Sequence, residues 1–319
     1  MAGRNQCAVG APSRVRADAA RQPAVRRFGV GSRTRAAAGI GLMVLAIFLF
    51  GIMDGLAKYL SADYPSQQIV WARYLFHLLV MLVLVPKTGF VGLVRTSRPG
   101  LHVLRGALLA AATLCMFTAV RYIPLADAYA IGFVSPLLVT VFAIPILKER
   151  VGWRRWTAVV VGFVGVLIVV RPGLGAMHWA VLLPLGMAAC FGLYQIITRL
   201  ASGAESQFMM LFYTALVGTA VMSVVAPLGW RPVAPLDWVW LVTIGALGAV
   251  GHLMLIRALS IAPASLLSPF IYTQIVWGLI IGYVAFGDLP DLPTVIGTLI
   301  IVASGLYVFY REAVLGKRS

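Results

Sequence analysis

IGLMVLAIFLFGIMDGLAKYL, residues 40–60, decides the fold. It is as long as a bilayer's hydrocarbon core requires of a helix, roughly 20 residues. It is apolar on every face until Asp54 and Lys58, which stand four residues apart on one side of a helix. Working outward, runs of the same kind follow one another. The spacing predicts spans over about Ile40–Leu60, Gln68–Val85, Leu101–Val120, Leu125–Leu147 and Trp153–Val170. It continues with Trp179–Leu200, Gln207–Val225, Trp238–Ala258, Ala264–Phe286 and Thr294–Phe309. Connections are short, so no folded domain is expected outside the lipid. Val159–Val170 is apolar all round rather than alternating, which excludes a membrane β-barrel.

Composition agrees. Hydrophobic residues make up 61% of the 319 positions and charged residues 11%, against roughly 25% charged in a soluble domain. A soluble chain of this length would leave apolar runs in water. The net charge of +16 does not point to nucleic acid, because of where it lies. Eight of the 26 Lys and Arg precede residue 36, and most others fall between apolar runs. With both termini inside, the inner segments carry those eight, then Lys87, Arg95, Arg98, Lys148, Arg150, Arg154, Arg155, Arg199, Arg257, Arg311, Lys317 and Arg318. The outer segments carry Arg121, Arg171, Arg231 and, near a helix end, Lys58. This bias predicts an N-in, C-in topology. Cys7, Cys115 and Cys190 are far apart and read as small apolar packers, not a disulfide framework or metal site.

Residues 1–37 read as a disordered, basic cytoplasmic tail, and 312–319 as a second cytoplasmic tail. Arg26-Arg27-Phe28 and the acid-poor composition also resemble targeting signals. The run that follows is too long for a signal peptide and leads into further spans, so cleavage is not expected.

The chain matches itself at a nearly constant offset. Phe50-Gly51 aligns with Phe191-Gly192, Lys58 with Arg199, and Ser66-Gln67 with Ser206-Gln207. Pro124 aligns with Pro263, Phe133 with Tyr272, Glu149 with Asp288 and Gly165 with Gly305. The expectation is an all-α membrane protein of two repeats, 38–172 and 173–311. Five spans per repeat is an odd number, so the second repeat enters the membrane inverted. Inverted repeats that exchange conformations are a common basis of alternating access.

Several stretches carry a family resemblance. They are Asp54-Gly-Leu-Ala-Lys58, Gln68-Ile-Val-Trp-Ala-Arg73, and Arg121-Tyr-Ile-Pro-Leu-Ala-Asp-Ala through Phe133-Val-Ser-Pro136 to Lys148-Glu149-Arg150. Ser268-Pro269-Phe-Ile-Tyr272-Thr-Gln274 and Gly297 to Gly305 supply the second-half counterpart. On these the chain resembles the drug/metabolite transporter superfamily, EamA type, across residues 38–311. In tone it is similar to members that take up riboflavin or S-adenosylmethionine. Asp288 departs from the pattern, since a Glu is commoner there.

The resemblance implies a secondary carrier of a small organic metabolite, proton-coupled or facilitative, in a cell membrane, most naturally a bacterial inner membrane. An aromatic or nucleoside-like substrate is expected, with export of amino acids or drugs as an alternative. No Gly-x-x-x-x-Gly-Lys-[Ser/Thr] loop supports direct nucleotide-driven transport. An embedded enzyme or a channel is the reading of another class. No catalytic motif, cofactor or metal site is expected, and a homodimer is left open.

Site candidates follow from cost. A charge at mid-helix costs about 2.5–3.5 kcal/mol on an insertion scale, so Asp54, Lys58 and Arg73 should face the interior and each other. Both a structural ion-pair cluster and a substrate or proton site fit, with Asp54 the proton-coupling candidate. Tyr129, Phe133, Tyr272, Gln274 and Trp277 lie near prolines that free backbone carbonyls. Tyr194 and Gln195 join them, and Gln195 aligns with Asp54. Glu149 and Asp288 at span ends are interfacial or gating candidates. His77 and His252 read as isolated packing residues.

Overall fold

A computed structural model describes residues 30–84, 96, 98–148, 152–171, 178–201, 206–262 and 264–310. Most of the two tails, together with Glu149 and Arg150, lies outside these. The described residues are helical, with no strand among them.

The first helix, α1 (Val30–Leu60), begins upstream of the expected start. After it come α2 (Ser66–Leu84) and α3 (Pro99–Tyr122). The fourth expected span is two helices, α4 (Leu125–Gly132) and α5 (Ser135–Leu147). Pro136 cannot donate an amide, so the ladder breaks at Phe133 and Val134 and resumes as Leu138 N–H bonds the Val134 carbonyl. Then come α6 (Trp153–Val170), α7 (Leu182–Ala201), α8 (Gln207–Val225) and α9 (Asp237–Ile261). The ninth expected span is also broken. It comprises α10 (Ala264–Leu267), a 3₁₀ segment Ser268–Tyr272 holding Pro269, and α11 (Thr273–Phe286). Here the Thr273 hydroxyl donates to the Phe270 carbonyl at 2.6 Å, which meets part of the demand left by the break. The last helix is α12 (Leu292–Tyr310).

By length and composition, seven helical stretches among the described residues can cross a membrane, and two further apolar helices are shorter. Gln67, Gln68, Arg73 and His77 make α2 more polar. Val83, Val164, Leu167 and Leu299 are exposed, a surface that lipid tolerates and water does not.

In the packing, α1 lies along α9, and α3 along α7. Helix α2 touches α8 and α9, while α3 touches α8. Helix α11 packs on α1, and α5 on α7. Helix α6 runs along α12, where backbones meet: a Cβ on Gly165 would stand 2.9 Å from the Gly297 carbonyl oxygen. The reverse approach would be 2.6 Å. Small residues permit such contact.

Candidate functional site

Helices α1, α2, α4 and α11 deliver the polar groups around Asp54. Asp54, on α1, is 5% exposed and accepts a 2.6 Å hydrogen bond from the Tyr129 hydroxyl on α4. Tyr129 reaches it because Gly278 on α11 has no side chain; a Cβ there would lie 2.3 Å from the tyrosine ring. Gln274, one turn earlier on α11, lies close enough to Tyr129 to act on its hydroxyl. Trp277 packs on Gly51 of α1 and on the Phe48 ring, with centroids 4.7 Å apart. Its indole nitrogen is buried without a partner. Asp54, Tyr129, Gln274 and Trp277 are thus brought together.

Arg73, on α2, is also 5% exposed. Its Nη1 donates to the Thr113 hydroxyl at 3.0 Å, and its guanidinium lies 4.7 Å from the Tyr74 ring centroid. Arg73 is close enough to act electrostatically on Asp54, but the two do not form an ion pair. Its Nε is buried without a partner.

The expected trio does not form. Lys58 turns from Asp54 and pairs with Asp288, beyond the end of α11. It also donates to the Ile123 carbonyl at 3.4 Å and lies 5.0 Å from the Phe286 ring centroid. The reason is reach: a lysine near a helix end is satisfied by the loop beside it, where both charges keep some water. Nearby, Arg171 pairs with Asp291. Burial pushes the Asp291 carboxyl up, but the Thr294 amide and Arg171 hold it, on balance, below the usual carboxylate range.

Phe133 and Tyr272, at the two helix breaks, touch with ring centroids 4.9 Å apart. Tyr194 and Gln195 lie elsewhere. The Tyr194 hydroxyl accepts from Arg105 at 3.2 Å, and Gln195 is exposed with one 3.4 Å contact to Ser135.

Two features escaped the sequence reading. Arg105 is 3% exposed on α3 and bonds Thr198, Tyr194 and the Met210 carbonyl, all neutral. Its signal was a cation inside an apolar run, the same signal that marked Arg73. The second is that His77 and His252 are not isolated. Because α2 packs on α9, their rings stand 5.5 Å apart, next to Arg73. No group of three or more His, Cys, Asp or Glu able to hold a metal occurs among the described residues.

Comparison with known proteins fits this arrangement. The EamA-like transporter family matches residues 37–171 and again 178–310. An S-adenosylmethionine uptake transporter of Rickettsia prowazekii is 31% identical over 274 residues, 86% of this chain and 93% of that one. A riboflavin transporter of Vibrio cholerae is 28% identical over 280 residues, 86% and 94% of the two chains. A pseudopaline exporter of Pseudomonas aeruginosa is 31% identical over 272 residues, 83% and 94%. A solved crystal structure at 16% identity shares the fold, with a TM-score of 0.58 over 90% of this chain and 98% of that one. A multi-pass helical membrane architecture, a buried polar interior and a family match in each half lead to one conclusion: the chain belongs to the EamA-like transporter family and is a transporter of small metabolites, not an enzyme.

Proposed function

We propose that the protein is a secondary carrier working by alternating access in a bacterial inner membrane, with its substrate site between α1, α2, α4, α9 and α11. The observation that carries this is the Asp54–Tyr129 hydrogen bond beside the unpaired Arg73. Buried ionisable groups in a membrane are costly and mark transport paths. Ten crossings in two inverted repeats, 38–172 and 173–311, frame the site. The packing supports this: exchanging α1 with α7, α2 with α8, α3 with α9, α5 with α11 and α6 with α12 maps each contact above onto another or itself. Phe133 and Tyr272, equivalent by alignment, touch each other, as residues beside a two-fold axis must. The two family matches support the same division.

An N-in, C-in topology puts Lys58, Asp288, Arg171 and Asp291 together at the outer end. Their ion pairs close that end in this conformation, so Asp288 serves as a gate. Glu149 is its equivalent by alignment. Asp54 is the coupling group, and Tyr129, Phe133, Tyr272, Gln274 and Trp277 form the wall. The substrate class is an aromatic or nucleoside-like metabolite, following relatives named for S-adenosylmethionine and riboflavin. Uptake and counterflow in proteoliposomes, with both compounds and the amino acids, test this. Saturable counterflow is expected; flux without saturation or trans-stimulation would make the protein a channel.

A further inference from the structure

Within the interior, two opposite charges sit close without meeting. Asp54 and Arg73 are equally buried, yet each takes a neutral partner: Tyr129 for the carboxylate, Thr113 and the Tyr74 ring for the guanidinium. A pair kept only to hold helices together would gain most from direct contact, because low dielectric strengthens contact and penalises separation. What the separation leaves is unmet demand on both sides. The Arg73 Nε and both ring nitrogens of His77 are buried without partners. His77 is 3% exposed.

These groups converge at one point. A Cβ on Gly248 of α9 would lie 3.6 Å from His77 Nδ1, 3.9 Å from Arg73 Nε and 3.5 Å from Met53 Sδ. All three are ordinary contact distances, so a group the size of a methyl fits against these three side chains without collision. Met53 precedes Asp54 in sequence, which sets this point beside the carboxylate's own turn. His252 flanks it from the same helix, its Nδ1 held 2.7 Å from the Gly248 carbonyl.

We infer that the interior takes a zwitterion, with a carboxylate against Arg73 and His77 beside Gly248 and a cationic centre against Asp54. The inference rests on the reading of this cluster as the substrate site. A free guanidinium edge and an imidazole N–H match the two oxygens of a carboxylate. On the other side, the Asp54 carboxylate has acceptor capacity beyond its one bond to Tyr129. A zwitterion thus supplies each charge with its complement and adds no net charge to the membrane interior.

The experiment uses the purified full chain in proteoliposomes, with counterflow of S-adenosylmethionine, S-adenosylhomocysteine, the amino acids, riboflavin and adenosine. Zwitterions are expected to exchange. Amidating the carboxyl or acetylating the amine of the exchanged compound should weaken competition by about tenfold or more, the scale of one charged hydrogen bond. Arg73→Gln should make the amide and its parent compete equally. Because Arg73→Gln risks misfolding, Gly248→Ala is read beside it. Its methyl meets only ordinary contacts, so an unchanged thermal midpoint is expected with affinity about tenfold weaker. Exchange of riboflavin or adenosine while no zwitterion competes would overturn the inference and leave the carrier standing. Affinity for the exchanged zwitterion unaltered in Gly248→Ala would overturn it too. Absence of any exchange would bring down the carrier reading with it.

Discussion

Asp54 and Gln195 align in sequence at the offset that relates the two family-matched halves, and the molecule treats them differently. Asp54 is sealed between α1, α4 and α11 and holds a short bond to Tyr129. Gln195 is exposed, with a single long contact to Ser135. Their neighbours follow suit. Lys58 is drawn into an ion pair with Asp288, while its counterpart Arg199 is exposed. The difference teaches that the repeat supplies a scaffold and the halves then divide the labour. The first half carries the buried carboxylate, while the ion-paired end is built by both, Lys58 and Arg171 from one and Asp288 and Asp291 from the other.

The comparison can be broken or sharpened by mutation. Asp54→Asn should have the largest effect. Losing a buried charged hydrogen bond, worth about 1.5–3 kcal/mol, should cut transport on the order of 10- to 100-fold, measured by counterflow with correct insertion checked. Wild-type flux with the same pH dependence would remove Asp54 from coupling. Adding Gln195→Asp to that variant should not restore flux, because the carboxylate would stand exposed and away from Tyr129. Recovery would show the halves to be interchangeable.

Next comes the end where Lys58 meets Asp288. Lys58→Ala leaves a half-buried Asp288 without its partner, at a cost of about 1 kcal/mol after solvent screening. If the pair is a gate, accessibility of a cysteine placed beside it should rise several-fold, and the charge-swapped pair Lys58→Asp with Asp288→Lys should reverse the rise. A swap no better than the single variant would reduce the pair to anchoring. Tyr272→Ala removes one ring of a contacting pair worth about 0.5–1.5 kcal/mol, so substrate affinity should weaken by about two- to tenfold in competition assays. Unchanged affinity would take the helix break out of the cavity wall. Gln195→Ala should be the smallest change, within about twofold, as for an exposed polar side chain.

How much of this was legible in the sequence depends on the scale of the question. The helices were, because apolar length is a local property, although among the described residues seven stretches are long and apolar enough to cross a membrane. So were the sites of the two helix breaks: Ser135-Pro136 and Ser268-Pro269 announced them, although the sequence reading kept each span whole. Partner choice was not. Spacing put Lys58 on the face of Asp54, but the Asp288 carboxylate comes from 230 positions away, which no local rule reports. His77 and His252 seemed solitary for the same reason: only the packing of α2 on α9 makes them neighbours. Arg105 is a different case, since its cost was visible in α3 and its neutral partners were not.

The contact between α6 and α12 has a consequence for descent. Gly165 and Gly297 are each other's wall, backbone against side-chain-free backbone. A mutation that adds even a methyl to one must be answered by movement of the other helix, and no smaller residue remains to compensate. The two positions are therefore tied in heredity: neither can drift alone, and a lineage that loses one glycine must rebuild the whole seam.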